Sequence, residues 1–143
     1  MTQTVIAFDY GIRSIGVAAG YCTGVPSTIE AVSELPSLKA KDGIPNWSQI
    51  QQLLREWKAQ VAVVGLPLNM DGTESDLAAR ARKFGNRLHG RFGIQVEMMD
   101  ERLSTFEAKQ IAAERGHKGN YVNSPVDSIA ARLILESWLR KPT

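Results

Sequence analysis

The chain has 143 residues, 43% of them apolar, a formal net charge of +2 and one cysteine, Cys22. That is the size of one domain able to bury a core without cross-links, and a single cysteine excludes an internal disulfide as well as CxxC and Cys/His zinc patterns. So small a charge does not by itself mark a nucleic-acid binder, and no apolar run approaches the ~20 residues that a bilayer demands.

The opening MTQTVIAFDYG has neither the basic nor the long apolar segment of a secretory signal, so a reducing, cytoplasmic setting is expected. Val5 to Phe8 is a short apolar run ending in Asp9-Tyr10-Gly11, and Ile15 to Gly20 follows after a tight basic turn, which reads as a β-hairpin. A third strand is predicted between Ser27 and Leu35, then a polar connection from Lys39 to Pro45 punctuated by Asp42-Gly43. Asn46 is placed to cap a helix that carries Ile50, Leu53, Leu54 and Trp57 on one face. The continuous apolar run Val61 to Leu66 predicts a strand covered on both sides. After the loop Asn69 to Ser75, the spacing of Leu77, Ala81, Phe84 and Leu88 predicts a helix closed by Gly90 or Gly93.

A strand from Ile94 to Met99 comes next and ends in Asp100-Glu101-Arg102. Ser104-Thr105-Phe106-Glu107 has capping-box spacing and opens a predicted helix reaching Gly116. His117 to Ser124 is a polar loop; Ser124 as N-cap and Pro125 in the first turn then start a last helix, Val126 to Arg140. In that helix Ile129 and Leu133 are expected to face inward, with Ala130 and Ser137 as further candidates. No repeat or linker divides the chain, so residues 1–143 are read as a single domain. The order β-β-β-α-β-α-β-α-α predicts an α/β fold: a mixed five-stranded sheet, three antiparallel strands then αβαβ, with helices on both faces. Its first strand sits centrally, where the sheet changes direction and ligands collect.

Carboxylates stand at three such places. Asp9 ends the first strand, Asp100 and Glu101 end a later one, and Asp127 lies in the first turn of the last helix. Phosphodiester hydrolysis needs charge neutralised on both the attacking and leaving oxygens, which two Mg²⁺ or Mn²⁺ ions held by carboxylate oxygens achieve. Each carboxylate read alone also has a local alternative: an Asx-turn for Asp9, a surface ion pair for the Asp100-Glu101-Arg102 cluster, a favourable helix-dipole contact for Asp127. Their coincidence points to metal-dependent catalysis by Asp9, Glu101 and Asp127. Adjacent strand residues face opposite ways, so only one of Asp100 and Glu101 serves; Glu101 is chosen, with Asp100 the alternative.

Arg80, Lys83, Arg87 and Arg91 recur at i, i+3, i+7 and i+11, a basic stripe suited to phosphate contacts or simply to a solvated helix face. Arg13 in the first turn and Lys118 in the loop His117 to Ser124 extend the same candidate surface. The two histidines, His89 and His117, read as surface residues, and Trp47, Trp57 and Trp138 as core or helix-face aromatics. The glycine-bearing turn after Asp9 is also similar to the phosphate-cradling hairpin of sugar kinases and actin-like ATPases, but those folds need two such domains and the length allows one.

In combination these segments resemble the YqgF/RuvX family of pre-16S rRNA nucleases and Holliday junction resolvases. The resemblance spans nearly the whole chain and is carried by FDYGIRSIGVA (Phe8 to Ala18), VVGLPLNMDGTE (Val63 to Glu74), ARKFGNRLHGRFG (Ala81 to Gly93), DERLST (Asp100 to Thr105) and VDSIAARLILESWL (Val126 to Leu139). It implies an RNase H-like fold and a metal-dependent endonuclease acting on structured nucleic acid, with pre-16S rRNA or branched DNA as substrate. The family's first-strand Asp maps to Asp9, the acid of its DER motif to Glu101 or Asp100, and its last-helix Asp to Asp127. One departure is Ser124-Pro125, where family members often carry a basic residue before the Val-Asp; Lys118 is the candidate substitute. Two rivals remain at this level: a DNA junction resolvase, which requires a homodimer where the RNA nuclease can be a monomer, and a non-catalytic RNA-binding factor.

Overall fold

The computed structural model of the chain describes residues 2–23, 28–69, 71–100 and 126–140. Six strands are described: β1 (Thr2–Asp9), β2 (Ser14–Thr23), β3 (Thr28–Lys41), β4 (Ile44–Pro45), β5 (Val61–Leu66) and β6 (Gln95–Asp100). They form one sheet in the order β4-β3-β2-β1-β5-β6. The helices described are α1 (Trp47–Trp57), α2 (Asp76–Phe92) and α3 (Val126–Arg140). β1 is antiparallel to β2 and parallel to β5, so the change from hairpin to crossover connection takes place on β1 itself.

Alternation along β1 sorts its side chains into two apolar layers. Ile6, Phe8 and Tyr10 join a core with Ile50 and Leu54 of α1 and Ala81, Phe84 and Leu88 of α2. Val5 and Ala7 face the other way, against Ala131, Ile134 and Leu135 of α3. β5 divides likewise, Ala62 and Val64 toward α1 and α2, Val61 and Val63 toward α3. This two-sided burial explains why the run Val61 to Leu66 is continuously apolar.

The cap expected at Asn46 is present, Gly93 is the one of the two candidate glycines that closes α2, and Ser75 adds an N-cap that was not expected. Asn46 Oδ1 accepts from Ser48 N at 3.0 Å and Gln49 N at 3.4 Å at the start of α1. Ser75 Oγ accepts from Ala78 N at 3.0 Å at the start of α2, and Gly93 closes that helix with φ at 67°. No described helix is long and apolar enough to cross a membrane. The predicted helix from Ser104 to Gly116 and the N-cap Ser124 lie outside the described residues.

Two expectations are corrected. The third strand does not end at Leu35: β3 continues to Lys41, with Leu38 and Ala40 packed on the α1/α2 core while Lys39 and Lys41 stay exposed. Asp42 and Gly43 have φ of 51° and 80° and form a two-residue hairpin turn into the short strand β4, so the described sheet has six strands where five were expected. In α3 the buried residues are Ile129, Ala130, Ala131, Ile134 and Leu135, while Leu133 is only half-buried and Ser137 is exposed. Apolar residues lie nearly all around this helix, so periodicity alone leaves its rotation open; the layer of β1 and β5 selects it.

Phe84 is the hub of the larger core. Its ring packs edge-on to Phe8 at 5.5 Å, tilted to Tyr10 at 5.2 Å and stacked with Trp47 at 5.7 Å. Phe84→Ala is expected to cost about 3–5 kcal/mol of unfolding free energy, read from urea denaturation with an unchanged m-value.

Candidate active site

Asp9 closes a strand whose four preceding residues, Val5 to Phe8, are each 0% exposed. It is itself half-buried, at the point where the dry core meets solvent. By the alternation that places Val5 and Ala7, its side chain is on the α3 face of the sheet. Tyr10, the next residue, enters the opposite core, and its hydroxyl donates to the Gly43 carbonyl at 2.7 Å. Burial raises the phenol above its ordinary pKa against the opposing pull of Arg80 and Arg87, so the hydroxyl remains a donor at neutral pH.

The turn after Asp9 is tied to the β3–β4 hairpin. Ala40 N donates to the Arg13 carbonyl at 2.9 Å and Gly43 N to the Ile12 carbonyl at 2.8 Å. Gly11 is required for close approach, because a Cβ there would lie 2.5 Å from the Ser14 carbonyl oxygen. These contacts set the exit direction of the chain beyond Asp9, and neither Tyr10 nor Gly43 was singled out from sequence. The Asp-Gly pair between two extended segments was the available signal for the second.

Asp100 ends β6 in register with Leu66. Val96 and Met98 pack on the α1/α2 core and Met99 on the α3 side, so Asp100 falls on the face opposite Asp9. Glu101 lies outside the described residues. Asp127 belongs to the first turn of α3 and is described only as a helical residue. α3 is held to the hairpin half of the sheet by Arg132, which donates to Glu34 at 3.0 Å and Glu136 at 2.8 Å. Those hydrogen bonds, the one to Glu34 foremost, raise the guanidinium pKa further and keep the charge in place. Among the described residues no three His, Cys, Asp or Glu side chains form a group able to hold a metal ion; of the three expected carboxylates only the side chain of Asp9 is among them.

The basic stripe divides. Arg80, Lys83 and Arg87 line a cavity of about 250 Å³ between α2 and the β3–β4 hairpin. Arg91 instead lies over the Trp47 ring, 4.5 Å from its centroid. Arg82 is ion-paired with Glu74, and Arg80 approaches Asp42 at 3.7 Å. Arg13 is exposed in the turn after Asp9, and Lys118 lies outside the described residues. His89 has Nδ1 3.0 Å from the Ile94 carbonyl, a contact at the end of α2.

The family described as "RuvX: Holliday junction resolvase" matches residues 3–141. A protein of Saccharophagus degradans named "Putative pre-16S rRNA nuclease" is 59% identical over 140 residues, covering 98% of this chain and 95% of that one. A protein of the same name from Chromohalobacter salexigens is 58% identical over 141 residues, with 99% and 92% covered. Among solved structures, the fowlpox virus Holliday junction resolvase superposes with a TM-score of 0.59 at 14% identity, covering 96% of this chain and 98% of that one. RuvC of T. thermophilus in complex with a Holliday junction substrate gives 0.55 at 16% identity, with 92% and 90% covered. At such identities the likeness concerns the fold, which is RNase H-like.

The tie between the two turns can be probed at Gly43, where φ is +80° and a Cβ would lie 2.3 Å from the Tyr10 hydroxyl. Gly43→Ala is expected to destabilise the chain by about 1–3 kcal/mol in chemical denaturation, more than a turn glycine with open space around it would.

Proposed function

The chain belongs to the RuvX family, and from that premise we propose that it is a divalent-metal-dependent endonuclease that matures the 5′ end of pre-16S rRNA in the cytoplasm. The observation that carries this reading is the placement of Asp9: a half-buried carboxylate at the end of the strand on which the sheet changes direction, on the face covered by α3. The names of the relatives, at more than half identity over nearly the full chain, support the substrate.

In this reading Asp9, Glu101 and Asp127 supply the oxygen ligands. An all-carboxylate set suits hard cations, and Asp9 is half-buried at the rim of a dry core. Mg²⁺ or Mn²⁺, two ions in this reading, would neutralise charge developing on the attacking and leaving oxygens when bound. Glu101 is preferred to Asp100 because Asp100 is on the α1/α2 face, and a two-residue period would return the next position to the face of Asp9. Arg13, Arg80, Lys83, Arg87 and Arg91, with Lys118, are assigned to the phosphate backbone; Arg91 does so while also covering Trp47.

A second reading, resolution of DNA junctions, is favoured by the description of the family itself. It requires two active sites and hence a homodimer, whereas cleavage of rRNA is compatible with a monomer.

Asp9→Asn keeps the side-chain shape and removes the charge. It is expected to lower cleavage of a 16S precursor in Mg²⁺ by at least ~100-fold, more than loss of an outer-shell group would. Equal rates for the two proteins would overturn the assignment. Cleavage of a four-way DNA junction by the wild type, with the precursor left intact, would favour the second reading.

A further inference from the structure

Among the described residues the large apolar side chains left exposed are Ile12 and Ile44, at 43% and 58%. Ile12 is in the turn after Asp9 and Ile44 opens β4, and the two segments are joined by the Gly43 N to Ile12 carbonyl hydrogen bond of 2.8 Å. Pairing of Ile44 with Lys41 across the tight Asp42-Gly43 turn sets it at the mouth of the 250 Å³ cavity. Tyr10, Trp47 and Phe84 line it as well, Tyr10 and Phe84 almost wholly buried beneath it, and Lys83 and Arg87 are exposed on its helix side. Asp42, the acidic residue of the lining, has Arg80 at 3.7 Å, so the balance of charge is cationic.

An apolar lip, an aromatic floor and a cationic rim together match a ligand that is flat and apolar at one end and anionic at the other. A nucleotide has that build, but in a paired helix its base is hidden in the stack. Only an unstacked nucleotide presents base and phosphate together.

We propose that this cavity takes one unpaired nucleotide of an RNA strand, its base against Ile44 and the aromatic wall and its phosphate toward Lys83 and Arg87. Tyr10 and Asp9 are consecutive residues on opposite faces, so a strand bound here passes over the end of β1 to reach the carboxylate. The cavity thus selects substrates with an unpaired position a short way from the cut. The consequence for cleavage and the choice of RNA over DNA rest on the nuclease reading; the preference for an unpaired nucleotide does not.

The test is fluorescence anisotropy in EDTA, which separates binding from cleavage. The probes are labelled RNA and DNA duplexes, each blunt and with one unpaired nucleotide. The wild type is expected to bind the RNA with the unpaired nucleotide about tenfold more tightly than the blunt duplex, as one sequestered base contact would give. Ile44→Ser is expected to reduce that preference to within about twofold while leaving duplex affinity unchanged, which also shows that the variant folds. Lys83→Gln with Arg87→Gln is expected to weaken binding to every probe and to lower the salt slope by about two. Equal binding of both RNAs by the wild type, or an undiminished preference in Ile44→Ser, would overturn the proposal. A preference shown only for the DNA form would overturn its assignment to RNA. A wild type that cleaves neither the 16S precursor nor a four-way junction in Mg²⁺ but keeps the preference would sink the nuclease reading and leave this one standing.

Discussion

Burial of β1 on both faces governs the geometry of the whole site. Each side chain from Val5 to Phe8 is enclosed by a different layer from its neighbour, with α1 and α2 on one side and α3 on the other. A slip of one residue would drive the Asp9 carboxylate into the layer built around Phe84 and push Phe8 toward the opposite side, with a charge-desolvation cost far beyond the value of any single contact. Asp9 therefore has one face available to it, and the order of the sheet puts that face under α3. The rest of the architecture acts on this constraint from outside: the capped helices press on it, and Arg132 links α3 to Glu34 of β3.

The end of β1 is also where two turns meet. Hydrogen bonds from Ala40, Gly43 and Tyr10 bind the turn after Asp9 to the β3–β4 hairpin, so the strand end cannot move without the hairpin. That hairpin forms one wall of the cavity whose opposite wall is the cationic side of α2. The end of β1 and the cavity are thereby connected through the Tyr10 hydroxyl and the backbone of Gly43. In the proposed function this coupling holds a substrate strand and the acidic end of β1 in fixed register, with chemistry assigned to the α3 face and strand recognition to the α2 face.

The basic stripe shows how packing edits a sequence pattern. Arg80, Lys83, Arg87 and Arg91 have equal claims by spacing, yet Arg91 covers Trp47 and Arg80 lies beside Asp42. A guanidinium above an indole can still reach solvent, but its position is set by the ring and not by a phosphate. The cavity brings Arg80, Lys83 and Arg87 together because α2 faces the hairpin there, a relation between elements that are far apart in the chain.

Most of the secondary structure is local and was legible locally. Asn46 marks a helix start by the hydrogen bonds its side chain accepts, and Gly93 a helix end by the positive φ that the lack of a Cβ permits. Val61 to Leu66 announces a strand buried on both faces, and the hairpin order of the first strands places β1 in the middle of the sheet. What the tertiary structure decided was relational. The extension of β3 to Lys41 and the pairing of β4 depend on a neighbouring strand and on α-layer contacts for Leu38 and Ala40, so polar Lys39, Lys41 and Asp42 read as a loop. The rotation of α3, which buries Ala131, Ile134 and Leu135 in preference to Leu133 and Ser137, depends on the layer it lands on. A sequence carries the period of each element, but the phase of that period is chosen by the surface packed against it, and at Asp9 and Asp100 the phase is what separates one face of the sheet from the other.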